Sequence, residues 1–142
     1  MTDDITGPVG SVDLPVLQQI QTLLIEQEPL VESTRFDDPI NPTELVVEFT
    51  LADRSHSRLE VTWWQTGAYR FHYTESDGIN FRYDNHPKSA VPDAHFHPPP
   101  NAGLAESSFL GSATRPLVIT RAIVTRVREA IVDGNSLNRL NE

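Results

Sequence analysis

Cysteine is absent from the 142 residues, so neither a disulfide nor a thiolate metal ligand is available, and small disulfide-stapled secreted scaffolds are excluded. Lysine is nearly absent as well: Lys88 is the single lysine among 11 basic residues. No apolar run approaches the ~20 residues that a membrane-spanning helix needs. The N-terminus, with Asp3 and Asp4, lacks the basic start of a signal peptide, and the expectation is a cytoplasmic protein. No Gly-rich phosphate loop, no GxSxG and no HExxH motif occurs. P-loop nucleotide hydrolysis, serine hydrolase chemistry and zincin proteolysis therefore have no support. Basic surface is scarce too. The net charge of -9 repels nucleic acid at long range and leaves only a local arginine cluster to bind phosphate.

What is present is concentrated between Tyr69 and His97, which holds four of the five histidines. Tyr69-Arg70-Phe71-His72-Tyr73 leads through Asp77-Gly78 into Ile79-Asn80-Phe81-Arg82-Tyr83-Asp84-Asn85-His86-Pro87. Asp-Gly supplies the positive φ of a two-residue hairpin turn, so the two runs are expected to pair antiparallel. Alternation then puts Tyr69, Phe71, Tyr73, Ile79, Phe81 and Tyr83 on one face. Arg70, His72, Asn80, Arg82 and Asp84 fall on the other, a polar face with chemistry on it.

The remaining segments read as support. Asp13 can cap a helix beginning at Leu14-Pro15, with Val16, Leu17, Ile20, Leu23 and Leu24 on one side and an end near Glu28-Pro29. Residues 1–12 are expected to be a loose tail and Val31 to Pro42 a loop. Leu45, Val47, Phe49 and Leu51 alternate with polar positions, as do Leu59, Val61 and Trp63, which predicts two more strands separated by a turn over Ala52 to His56. Thr66-Gly67 turns the chain into the Tyr69 strand. Five prolines between Pro87 and Pro100 predict a long Pro/His-rich loop from Asn85 to Gly103, carrying His86, His95 and His97. Glu106 to Ala113 is ambiguous. Beyond Pro116, residues Leu117, Ile119, Ile123, Val124, Val127 and Ile131 form the stripe of a second helix that Gly134 is placed to end. The expected architecture is a single α+β domain over residues 1–142, a four-stranded antiparallel meander packed on an N-terminal and a C-terminal helix.

Two chemistries suit the polar face. His95 and His97, with His86, His72 and Asp84, offer ligands for a metal, although an HxH pair still needs partners from elsewhere, and a metal at His95 and His97 stays open. Alternatively, a metal-independent ribonuclease needs a base and an acid near neutral pKa and cationic donors for the phosphate. His72, His95 and His97 are acid/base candidates, Arg70 and Arg82 phosphate ligands, and Asp84 an orienting carboxylate. A third reading makes Arg82 and Asp84 an ordinary surface ion pair. Trp64, pointing outward from its strand, is either a stacking platform for a base or a residue covered by another element.

The strand Tyr69 to His72, the hairpin into Phe81-Arg82-Tyr83-Asp84-Asn85-His86-Pro87, the histidine-rich segment after it and the C-terminal helix together resemble the TumE family of toxin-like proteins from prokaryotic toxin–antitoxin operons. The likeness covers the last half of the chain. It departs where the family runs from Asn-Ala-Pro into a Pro-His-His-Lys-His type of cluster, since this chain has His86 and then only His95-Phe96-His97. The resemblance implies a type II toxin acting on RNA and a partner antitoxin with a DNA-binding domain. Catalysis is then expected from His72, Arg82, Asp84, His95 and His97, with Arg70, Tyr83, Asn85 and His86 binding substrate and no cofactor required. The alternative is a non-catalytic module that binds a partner or a metal.

Overall fold

A computed structural model describes residues 10–49, 56–86, 94–132 and 137–142. Residues 1–9 of the expected tail, Leu51 of the expected strand, residues 52–55 of the expected Ala52 to His56 turn, Pro87 and Pro92 of the expected loop, and Gly134 as helix terminator lie outside them. The chain runs α1 (Leu14–Gln27), β1 (Val31–Phe36), β2 (Leu45–Phe49), β3 (Ser57–Trp63), β4 (Tyr69–Glu75), β5 (Asn80–Asn85), β6 (His95–His97), β7 (Glu106–Ser107) and α2 (Pro116–Val132), followed by a 3-10 turn at Leu137–Arg139. Among the described residues seven strands form one antiparallel sheet in chain order, not the four expected.

The helix boundaries have local causes. The Asp13 carboxylate accepts the Val16 N–H at 3.2 Å, and Pro15 occupies the first turn, where its missing N–H costs nothing. Glu28 leaves helical geometry with an extended backbone, as the residue before Pro29 must. Leu17, Ile20, Leu23 and Leu24 of α1 are buried, together with Ile119, Ile123, Val124, Val127 and Ala130 of α2. Leu117, assigned to the α2 stripe from sequence, is instead 38% exposed.

Both helices cover the same face of the sheet, and the core between them is aromatic. Three pairs that face each other across neighbouring strands are in ring contact. Trp63 stacks on Tyr69 at 5.0 Å, Tyr73 on Phe81 at 4.7 Å, and Tyr83 meets Phe96 at 4.8 Å. Each such pair adds about 0.5–1.5 kcal/mol beyond its buried area. A one-residue slip of any strand would turn its rings into solvent, so this ladder fixes the register of β3 through β6.

Four expectations are corrected. Residues 31–36 are an edge strand rather than loop, and Ser11 and Val12 are not loose: the Gln65 N–H donates to the Ser11 carbonyl at 2.8 Å and Val12 bridges to Trp64. The turn at Gly78 holds three residues rather than two. The Gly78 N–H donates to the Glu75 carbonyl and the Glu75 N–H to the Ile79 carbonyl, with Gly78 at φ 106°, a type I turn closed by a left-handed glycine. Gly67, at φ 95°, closes the β3–β4 hairpin in the same way. Finally, the expected loop from Asn85 to Gly103 is not one irregular segment, because Asn85 ends β5 and His95–His97 are β6.

Candidate functional site

The register that stacks rings on the inner face lines up polar side chains on the outer one. His72 lies opposite Arg82, and Arg82 opposite His97, so β4, β5 and β6 present a transverse row of His, Arg, His, which Glu60 extends onto β3. The next row holds Thr62, Arg70, Asp84 and His95. These are the positions that alternation assigned to a polar face. Among the described residues, both helices lie on the opposite side of the sheet.

Asp84 is the centre of the arrangement. It is 1% exposed, whereas Arg70, His72, Arg82, His95 and His97 around it are half-buried. The Arg82 Nε–H donates to its Oδ2 at 2.7 Å, the His97 Nε2 lies 3.4 Å from the same oxygen, and the His86 Nε2 lies 3.8 Å from it. This is no ordinary surface ion pair. Burial pushes the Asp84 carboxyl upward, yet the hydrogen bond with His97 and the charges of Arg82, His97 and His86 outweigh it and hold the group below its usual value.

The orientation of His97 follows from its other nitrogen. Nδ1 sits 2.9 Å from the Gly103 carbonyl oxygen, which can only accept, so Nδ1 carries a proton in either charge state. In the neutral ring Nε2 accepts from the Arg82 Nη2, 3.1 Å away. When protonated, it donates toward Asp84. The hydrogen bond with Asp84 raises the His97 pKa above 6.5, against burial, with the Gly103 carbonyl adding to the rise.

A fold-back of the proline segment makes this possible. The Gly103 N–H donates to the Pro98 carbonyl at 2.8 Å, the Asn80 N–H to the Pro100 carbonyl at 2.7 Å, and the Ala102 N–H to the Asn80 carbonyl at 3.0 Å. The loop thus closes over the first residue of β5 and brings the Gly103 carbonyl to the imidazole. Asn80 also engages His72, with Oδ1 3.1 Å from its Nε2. The Glu60 Oε1 stands 3.9 Å from the His72 Nδ1.

Of the residues singled out in the sequence, His72, Arg82, Asp84, His95 and His97 share the outer face, His86 lies beside them with its Nε2 3.8 Å from Asp84, and Arg70 joins them with its guanidinium carbon 5.9 Å from the Trp64 ring centre. Tyr83 does not. Fully buried, it points into the core and its hydroxyl donates to the Leu140 carbonyl at 2.7 Å, while burial pushes its pKa upward. Asn85 shares the inward parity of Tyr83, so neither of these two expected substrate ligands lies on the outer face. Sequence reasoning missed the parts played by Glu60, Asn80 and Gly103. Alternation places Asn80 on the polar face and turns Glu60 outward, but gives neither a role. Nothing short of the fold could have found a backbone carbonyl.

Among the described residues no group of three or more His, Cys, Asp or Glu side chains is arranged to hold a metal ion. No helix in them is long and apolar enough to cross a membrane. The family model described as Toxin TumE matches residues 21–131. No curated protein and no solved structure matches the chain.

Proposed function

The chain belongs to the TumE toxin family, and from that premise we propose that this toxin of a toxin–antitoxin pair is a metal-independent ribonuclease of a type II module, with its site on the outer face of the sheet. The observation that carries the reading is the buried Asp84 holding Arg82 and His97 together, with His72 on the other side of Arg82.

The chemistry needs a proton acceptor and a proton donor on either side of one phosphate. His72 and His97 stand on strands two apart, about 10 Å between backbones, with Arg82 between them. With its Nε2–H donating to Asn80, His72 keeps a basic lone pair on Nδ1 for the proton of the ribose 2′-hydroxyl. The 2′-oxygen forms its bond to phosphorus as the bond from phosphorus to the 5′-oxygen breaks. Arg82 donates to the non-bridging oxygens, where charge builds in the transition state. His97 gives its Nε2 proton to the departing 5′-oxygen, releasing it from the hydrogen bond with Asp84, and the raised pKa favours the protonated ring. The products are a 2′,3′-cyclic phosphate and a free 5′-hydroxyl. Asp84 orients both Arg82 and His97. His95, opposite Asp84, is a further acid/base candidate, and Arg70 and His86 complete the polar surround.

The antitoxin is proposed to be a DNA-binding protein, whose basic surface would complement a toxin of charge -9. Incubation of the purified toxin with end-labelled RNA in EDTA tests the catalytic reading. Cleavage to cyclic-phosphate ends, reduced at least 100-fold in both His97→Ala and His72→Ala, is expected. Equal cleavage by all three proteins, or none by the wild type, overturns it. Expressed without antitoxin, the wild type is expected to arrest growth and Arg82→Ala to relieve the arrest at equal protein level.

A further inference from the structure

One outward aromatic is unused by this chemistry. Trp64 follows β3 by one residue; its neighbour Trp63 packs in the core at 3% exposure, so alternation turns Trp64 to the outer face. The placement of Arg70 over its ring agrees, because Arg70 belongs to the outer face of β4. Trp64 is only partly buried.

The positions along the sheet are regular. Glu60 ends the His72–Arg82–His97 row on β3, Thr62 ends the Arg70–Asp84 row, and Trp64 comes next. Same-face residues on a strand are about 7 Å apart and neighbouring strands about 5 Å, so Trp64, two rows along and two strands across, stands roughly 16 Å from Arg82, with Arg70 between. That is the reach of an extended strand with one further phosphate at Arg70 and a base at Trp64. A ring with a cation over it and part of its surface open is suited to hold an unpaired base, as aromatic platforms in single-strand binders do. The net charge of -9 opposes a broad electrostatic track, and Arg35 and Arg58 on the same face are engaged by Glu48 and Glu60, so stacking joins Arg70 and Arg82 as the means of holding a polyanion.

We infer that Trp64, with Arg70, forms a stacking subsite for a base two nucleotides from the phosphate held by Arg82, so that the substrate is single-stranded RNA. This rests on the ribonuclease reading for the position of the phosphate. Trp64 and Arg70 act here in binding and take no part in proton transfer.

The test uses the full chain and a fluorescein-labelled hexanucleotide methylated at every 2′-oxygen, which lacks the attacking hydroxyl and reports binding alone. A methylated dinucleotide, too short to span the two positions, is the control, and a duplex of the hexamer sequence is the competitor. Trp64→Ala is expected to weaken hexamer binding about ten-fold, the size a base–aromatic stack confers. Trp64→Phe, which keeps a ring, should retain affinity within about three-fold of wild type on the same account. Dinucleotide binding should be the same in all three. Arg70→Gln, an independent variant should Trp64→Ala fail to fold, is expected to flatten the slope of log affinity against log salt by ~0.7. Unchanged hexamer binding in Trp64→Ala, an equal loss on the dinucleotide, a duplex that competes as well as the single strand, or no hexamer binding by the wild type each overturns the subsite. Because the probe cannot be cleaved, the two readings fail separately. Trp64-dependent binding without RNA cleavage removes the ribonuclease, and cleavage without Trp64 dependence removes the subsite.

Discussion

Asp84 is a buried carboxylate on the face of the sheet where burial is least expected, and its cost is offset by Arg82 at 2.7 Å and His97 at 3.4 Å. Replacing it by Asn keeps the shape and removes the charge. The donors facing it lose their anionic acceptor, and a destabilisation of about 1–3 kcal/mol is expected, read as a lower urea midpoint. The His97 pKa, now raised by that carboxylate, should fall, which proton NMR of the imidazole resolves; an unmoved titration would show that Asp84 does not set it. The pH dependence follows from the directions of the two shifts. The group with the raised pKa, His97, stabilises the fold fully below the ordinary 6.5 and loses that contribution as pH rises through its folded value. Asp84, shifted down, contributes above the ordinary 3.8 and loses it as pH falls through its folded value. Urea midpoints of the wild type should therefore be highest between these limits, and in Asp84→Asn both flanks of that profile should flatten.

At the level of strands and turns, the site depends on two tight hairpins that set where β4 and β5 begin. Gly78 and Gly67 both sit at positive φ, and a Cβ at either would meet nothing within 4 Å, so substitution by Ala tests backbone strain alone. Each should cost about 1–2 kcal/mol. The two differ in where the strain is felt. Gly78 is two residues before Asn80, which ties the proline loop to β5 and engages His72, whereas Gly67 lies at the opposite end of β4. Gly78→Ala is expected to lower activity beyond its effect on the folded fraction and Gly67→Ala is not, measured as kcat/KM at a temperature where both are folded. The sequence was most legible in these same hairpins, because period-two alternation with aromatic residues fixes both faces and the opposed rings fix the register. β1 was hidden for a physical reason: the pairing with β2 shifts register between Val31 and Ser33, and such a bulge destroys the alternation by which a strand is read. β6 was hidden by length, since three residues between prolines become a strand only by pairing with β5, a long-range fact. The same pairing decides the site. His97 could be named from sequence, but its place across from Arg82 and its lock on Gly103 belong to the fold.

For the molecule as a whole, the acidic charge and the arginine-bearing face pull in opposite directions, and the balance can be measured. The long-range field of a chain carrying -9 opposes approach of RNA, while Arg82 and Arg70 favour phosphate once it is within a Debye length, about 8 Å at physiological salt. Added salt weakens both. Release of counterions from two phosphate contacts on a single strand gives a log–log slope of about -1.4, and screening of the net repulsion makes it shallower still. Binding of the methylated hexamer should therefore fall only a few-fold between 50 mM and 200 mM salt, where a protein making 6–10 duplex phosphate contacts loses ~1,000-fold or more. Glu60→Gln takes one carboxylate off the His72–Arg82 row and should tighten hexamer binding at low salt, with the gain disappearing as salt rises. A steep slope in the wild type, approaching that of a basic nucleic-acid binder, would mean that the strand is held by more cations than Arg82 and Arg70, and the track from Arg82 through Arg70 to Trp64 would be the wrong surface.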